Sequence, residues 1–325
     1  FYMYVLGIDG GGTKTKGVIC DEKGRVHAEA AVGPTNPNSL GFEFVEKELS
    51  KLLRDLQQRA PEKFAGLGSF FAGMSGVDRE EDKRKMGHLY KKYLPADCLF
   101  KVDNDAVNAL YSGTLGQPGV VNISGTGSIT FGINDEGERT RVGGWGFLLD
   151  DSGSGFSIGK HALKAIFDEY DGFGEKTDLT SAIINTLKVK RVPELIPVIY
   201  DFTKARETIA SLSRLVVEAA EGGDLVSQEI LKQAGIEMGK NIRRLILKLF
   251  KNQARNKELS IVLAGGNYKS AEWFIPNIKE SLQFQNKKPA IILPDLPPVA
   301  GSVIASLINA GAEIDKSFID NFKNN

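Results

Sequence analysis

"YVLGIDGGGTKTKG", residues 4–17, sets an apolar run against a glycine-rich turn, with Asp9 at the junction and Thr13 and Lys14 just beyond it. The stretch nearly satisfies two nucleotide signatures and meets neither. Gly7 to Gly12 spaces as GxxxxG, but Thr13 and Lys14 follow, so the GK[ST] of a P-loop fails. No GxGxxG opens a helix either, because the β-branched and polar residues after Gly12 continue as a strand. Two readings of these residues stay open. One is a strand-to-strand turn whose bare N–H groups cradle an anion, with Gly11, Gly12, Thr13 and Lys14 as donors and Asp9 facing a metal or phosphate. The other is an ordinary hairpin rich in glycine.

Working outward, residues 4–9, 15–20 and 25–32 read as short strands, the last two joined by "DEKGR", which predicts an antiparallel meander. Residues 42–59 place Phe44, Val45, Leu49, Leu52, Leu53 and Leu56 near helical spacing, with charge on the other face, so a covering helix follows. "LGSFFAGMSG" (67–76) reads as a buried strand, and "LFKVDNDAVNALYSG" as a strand turning into a helix at Asp103–Asp105. At residue 119 the opening pattern starts again as "GVVNISGTGSITFGINDEGERTRVGG", a structural repeat offset by about 115 residues. Amphipathic runs over 158–170, 178–187, 206–221, 224–250 and 270–283 make the second half largely helical, with "LSIVLAGG" and "AIILPD" as buried strands between them. Two α/β domains are expected, 1–115 and 116–325, with the ligand in the cleft between them and the last helix returning to that interface.

The composition narrows the partners. Forty-one basic residues balance 41 acidic ones, so no positive field recruits nucleic acid or an anionic membrane, and a small molecule is the expected partner. Cys20 and Cys98 stand alone without a CxxC neighbour, which excludes a disulfide framework and argues against a cysteine-based metal site. No apolar run approaches a membrane span, and a cytoplasmic protein is expected.

A second small-residue turn, "SGTGS" (124–128), occupies the equivalent place in the repeat, and two such turns facing each other suit a polyphosphate. "VLAGGNYKS" (262–270) ends a buried strand with Gly265 and Gly266, where a base or ribose could approach closely. "PPVAGSVIASLINAGA" opens a helix whose small residues permit close packing at a domain interface. In order and spacing these segments resemble the sugar kinase, heat-shock chaperone and actin superfamily. Within it, "GIDGGGTKT", "PTN", "ISGTGS" and "GGWGFLLDDSGSG" are similar to the N-acetylglucosamine kinases and the BadF/BadG/BcrA/BcrD activator ATPases grouped with them.

The resemblance implies two ribonuclease H-like domains, the C-terminal one enlarged by helices, and an ATP-dependent amino-sugar kinase acting on the 6-hydroxyl of N-acetylglucosamine. N-acetylmuramic acid and glucosamine are the alternative acceptors, and a homodimer is expected. Carried over, Thr13 and Thr126 meet phosphate, while Ala210, Gly265, Gly266 and Asn267 meet the nucleoside. Asn36, Asp105, Gly127, Ser128, Gly144, Trp145, Gly146 and Asp151 meet the sugar, with Asp105 as general base. Magnesium would bridge the phosphates, held by Asp9 through water. A competing implication, an activator ATPase passing electrons through a shared iron–sulfur cluster, needs cysteine ligands that Cys20 and Cys98 do not suggest.

Two departures stand out. The family's "GDEGS" is "DDSGS" here, placing Asp150 and Ser152 beside Asp151, and Ile129 stands where the kinases often carry asparagine. Both bear on acceptor preference. Plain readings compete as well: Asp103 and Asp105 could cap the helix they introduce, and Asn36 and Asn38 could form a turn.

Overall fold

The computed structural model describes residues 3–149, 151–251, 258–283, 288–314 and 316–324. The chain divides into two compact units, one of residues 1–117 with 294–325 and one of residues 118–293. The expected boundary near 115 is close, but the second half does not run to the end. Residues 294–325 return to the first unit, because the apolar helix Pro298–Asn309 packs on β1 (Tyr4–Gly10) and on the helix Ala106–Thr114. The small-residue face expected at a domain interface therefore packs inside one unit.

The first sheet runs β3-β2-β1-β4-β5, with β2 (Thr15–Asp21), β3 (Val26–Val32), β4 (Leu67–Met74) and β5 (Leu99–Asn104). Short turns join β1, β2 and β3, so those neighbours pair antiparallel. The route from β3 to β4 passes through the helix Phe42–Arg59, long enough to return β4 parallel to β1. Both faces of β1 are buried, which explains its unbroken apolar run. Leu6 and Ile8 pack with Leu49, Leu52 and Leu53, while Val5 packs with Val299, Val303 and Leu307. Gly7 lies between, and a Cβ there would come within 2.5 Å of the Val303 nitrogen.

The second sheet repeats the plan as β8-β7-β6-β9-β10, with β6 (Gly119–Ser124), β7 (Ser128–Ile133), β8 (Arg139–Gly143), β9 (Glu258–Ala264) and β10 (Lys288–Ile292). The repeat read from the sequence is thus a repeat of strand order, the ribonuclease H-like one. Between β8 and β9 the chain inserts the helices Gly155–Tyr170, Leu179–Leu187, Ala205–Ser211, Ser213–Glu221 and Leu225–Leu249. Their apolar faces and β9's Leu259, Ile261 and Leu263 form one core.

Two expected helices are subdivided. The 206–221 run steps at Leu212 without leaving right-handed backbone, and the 270–283 run is a 3-10 segment, Gly266–Trp273, followed by the helix Ile275–Ser281. Ser270, at φ −116 and ψ 46, breaks that second run, and Pro276 restarts it. Among the described residues no helix is long and apolar enough to cross a membrane.

Candidate active site

In the first unit the parallel strands β1, β4 and β5 end together, Gly10 beside Met74 and Met74 beside Asn104. The loops that follow open at one sheet edge, the carboxyl edge where α/β folds bind ligands. After β1, Gly11 N–H donates to Lys14 O at 3.0 Å and Thr35 N–H to Gly11 O at 3.1 Å, while Gly12, Thr13 and Lys14 are exposed. None of Gly10, Gly11 and Gly12 has a left-handed φ, so the loop is not an alternating nest. Its glycines serve proximity instead. A Cβ on Gly10 would come within 2.3 Å of the Met74 sulfur, whereas one on Gly12 would meet nothing within 4 Å, leaving open space over the loop.

Asp9 ends β1 with its Oδ1 accepting from Asn108 Nδ2 at 2.7 Å, and the same amide nitrogen reaches Gly73 O at 3.1 Å. Burial pushes the Asp9 carboxyl up to about 6, with the Asn108 hydrogen bond opposing. Asp105 begins the next helix, but the capping belongs to its neighbour: Ala106 N–H donates to Asn104 Oδ1 at 2.8 Å, and the Asp105 side chain makes no cap hydrogen bond. Burial, with the charges of Asp9 and Asp78 adding to it, pushes Asp105 up to about 7. A carboxylate so placed suits proton abstraction near neutrality. Asp103 is engaged elsewhere, accepting from Asn104 N–H at 2.9 Å and pairing with Lys83 at 3.2 Å.

Asn36 stands at the same edge. Its Oδ1 accepts from Asn38 N–H at 2.9 Å, and its Nδ2 donates to Ser75 Oγ at 3.3 Å. Gly76, at φ +78, lets the loop after β4 approach, since a Cβ there would come within 2.4 Å of Asn36 Oδ1. The turn-forming reading of Asn36 is therefore realised, and Asn38 joins it through Gly76 O at 3.0 Å.

The second unit repeats the arrangement around β6 and β9, where Ile123 pairs with Ala264, so loops 125–127 and 265–267 share an edge. Asn267 Nδ2 donates to Ser124 Oγ at 2.8 Å and to Gly125 O at 3.3 Å. Gly265, at φ +105, is required because a Cβ would come within 2.3 Å of Ser124 O. Gly266 opens on free space, with nothing within 4 Å of a Cβ. The helix Gly155–Tyr170 begins against the same loop: Gly155 N–H donates to Gly125 O at 2.7 Å and Phe156 N–H to Thr126 O at 3.2 Å. Gly155 sits tightly, since a Cβ there would lie 3.0 Å from Gly125 O and 3.1 Å from Ala210 O. Thr126, Ala210, Gly265 and Asn267 are thus brought together. Ser213, which the sequence reading passed over, ties them through Ala210 O at 2.9 Å and Asn267 Oδ1 at 3.4 Å.

On the other side of that loop, Ser128 N–H donates to Asp151 Oδ1 at 2.8 Å and Ser128 Oγ to Ser152 O at 2.8 Å. The 144–146 segment follows β8, with Gly144 and Gly146 at φ +71 and +95 and Trp145 60% exposed beneath the Arg141 guanidinium, 4.2 Å from its ring centre. Ile129 packs under Gly144, where a Cβ would come within 2.8 Å of it. Asp150 lies outside the described residues. A cavity of about 1030 Å³ opens elsewhere in this unit, between Ser157, His161, Asp224 and Glu237, and none of the expected site residues lines it. The hydrogen-bonded chemistry points instead to the loop edges.

Comparison with known proteins gives the family. The model of the BadF/BadG/BcrA/BcrD ATPase family matches residues 6–308. The N-acetylmuramic acid/N-acetylglucosamine kinase of Clostridium acetobutylicum is 35% identical over 308 residues, covering 93% of this chain and 97% of that one. The N-acetyl-D-glucosamine kinase of Dictyostelium discoideum is 36% identical, covering 81% and 84% of the two chains. A crystal structure assigned as an N-acetylglucosamine kinase of Chromobacterium violaceum superposes with a TM-score of 0.72 at 22% identity, covering 93% and 98%, a likeness of fold.

Proposed function

The chain belongs to the BadF/BadG/BcrA/BcrD ATPase family, and from that premise we propose that it is an ATP-dependent amino-sugar kinase whose acceptor is the 6-hydroxyl of N-acetylglucosamine. N-acetylmuramic acid and glucosamine are the alternative acceptors. The observation that carries the reading is Asp105: a strand-end carboxylate relieved of capping by Asn104 and held near neutrality by burial. In this reading Asp105 accepts the hydroxyl proton while the sugar oxygen bonds to the γ-phosphorus and the bond to the bridging oxygen of ADP breaks. Asn36, Gly127, Ser128, Gly144, Trp145, Gly146 and Asp151 are assigned to the sugar. Gly11, Gly12, Thr13, Lys14 and Thr126 are assigned to the phosphates, and Ala210, Gly265, Gly266 and Asn267 to the nucleoside. The Asn267 and Ser213 hydrogen bonds support the last group by fixing one loop edge without a ligand.

Among the described residues no cluster of three or more histidine, cysteine or acidic side chains could cage a metal. The single carboxylate of Asp9 at the end of β1 suits magnesium, which keeps most of its waters and takes phosphate oxygens. Bound there, the ion would neutralise charge on the phosphates. Asn108 orients the Asp9 carboxylate for that role.

The electron-transfer alternative is disfavoured by its own chemistry. Cys20 and Cys98 are buried, and burial raises both thiols, Cys98 to about 11, which opposes the thiolate a cluster needs. ADP release measured against a panel of hexosamines, with the product's phosphate position read by NMR, tests the kinase reading. A 6-phosphorylated amino sugar is the expected product; equal slow ATP turnover with every sugar would sink it.

A further inference from the structure

We propose that Arg206 is a phosphate-binding residue of this site, meeting the phosphoryl group that ATP transfers; the proposal rests on the kinase reading. Arg206 lies on the helix Ala205–Ser211 one turn before Ala210, on the same face. Its Nη2 is 2.9 Å from the point a Cβ on Gly127 would occupy, so the guanidinium lies against the backbone of loop 125–127. This gives Gly127 a reason that its φ does not: any side chain there would displace the arginine. The guanidinium also stands 5.8 Å from the centre of the Phe147 ring, which follows the 144–146 segment.

Its hydrogen bonding is incomplete. Arg206 Nε is buried and has no hydrogen-bond partner among the described residues. Buried polar groups are normally satisfied, and a guanidinium carries a fork of donors matched to phosphate oxygens. Asp151 stands across Gly127, its Oδ1 3.1 Å from the same Cβ point, and that oxygen already accepts from Ser128 N–H. The two side chains thus flank Gly127 from the same small space, an anionic group beside a cationic one. The result is a half-buried cation with donors to spare, between the loop assigned to phosphate and the segment assigned to the sugar.

During transfer Arg206 exchanges no proton. It donates hydrogen bonds to oxygens of the moving phosphoryl group, while the sugar oxygen bonds to phosphorus, ADP leaves with the electron pair of the broken bond, and Asp105 takes the hydroxyl proton. The other anion that could reach such a fork is a substrate carboxylate, as on the lactyl group of N-acetylmuramic acid. The experiment separates the two.

Arg206→Gln and Arg206→Lys are made in the full chain, with thermal unfolding confirming that each folds. Kinetics are measured with N-acetylglucosamine and with N-acetylmuramic acid, and affinities for AMP and for a non-hydrolysable ATP analogue by calorimetry. The glutamine variant should lose roughly 10²–10³-fold in kcat with either acceptor. Its sugar KM should stay within about twofold, and it should bind the ATP analogue more weakly and AMP unchanged. The lysine variant, which keeps the charge and loses the fork, should recover part of the loss. Unchanged kcat overturns the proposal. So does a loss confined to N-acetylmuramic acid, which would assign Arg206 to the carboxylate, and so does an equal loss of AMP affinity. If the wild-type chain phosphorylates neither acceptor, the kinase reading fails by itself, and the difference between the ATP analogue and AMP still decides whether Arg206 holds phosphate. If the glutamine variant does not fold, the lysine variant decides: a wild-type kcat and ATP-analogue affinity would overturn the proposal.

Discussion

At the scale of single residues, Asp105 joins reactivity to instability. Burial and the charges of Asp9 and Asp78 raise its carboxyl to about 7, well above the 3.8 of a free aspartate. The rate should therefore fall as pH drops below about 7, because the base is progressively protonated, and a pH profile of kcat/KM would show that acid limb. Asp105→Asn should lower kcat by roughly 10²–10⁴-fold while calorimetry still detects sugar binding. The same substitution should stabilise the fold. A carboxyl whose folded pKa is raised gives up stability as pH rises from its unfolded value of 3.8 through about 7, so removing the charge returns it. At pH 8 the gain should be on the order of 1–3 kcal/mol, allowing for partial exposure, and it should shrink toward pH 4. A variant less stable than wild type at pH 8 would contradict this account. The candidate base was legible at the end of a strand, but its freedom from capping was not, because Asn104 and Asp105 are equally good caps until the backbone shows which accepts from Ala106. Arg206 left no trace at all: a charge on an amphipathic helix reads as solvated, and only the packing against Gly127 shows otherwise.

At the scale of elements, the helix Pro298–Asn309 carries the tightest contacts around the Asp9–Asn108 pair. A Cβ on Gly301 would come within 1.8 Å of Asn108 O and 2.8 Å of Ser112 N, backbone atoms that cannot step aside. Gly301→Ala should therefore destabilise the first unit by about 1–3 kcal/mol or more, read as a lower urea midpoint. It should also weaken activity, since the helix it pushes on, Ala106–Thr114, carries Asn108, whose amide orients the carboxylate of Asp9. Gly266→Ala is the control: its Cβ would meet nothing within 4 Å, and stability should stay within about 0.5 kcal/mol. The sequence made this helix visible through its uniform small and apolar residues, which say that it is buried on all sides. They do not say against what. The meander strands were easier to place because short turns fix their neighbours locally, whereas this helix finds its partners nearly 200 residues back, at Asn108 and Ser112.

At the scale of the whole chain, the two units differ in how the chain makes them, and that difference is testable. The second unit is one continuous segment, 118–293, with a core drawn wholly from within itself, from Val120 to Leu282. The first needs both ends: Val5, Val18 and Cys20 are buried only together with Leu296, Val299, Val303, Leu307 and Phe318. Each such side chain contributes about 1.5–3 kcal/mol when fully buried, so exposing this group exceeds the 5–15 kcal/mol by which a domain is ordinarily stable. A chain of residues 118–293 should fold alone, with dispersed amide resonances and a cooperative melt, whereas 1–117 alone should not. Joining 294–325 to 1–117 through a flexible Gly/Ser linker should restore the melt, because only the continuity of that core was missing. If 118–293 instead binds hydrophobic dye and melts without cooperativity, its core is not self-sufficient. Folding of 1–117 without its returning segment would show that one covered sheet face is enough.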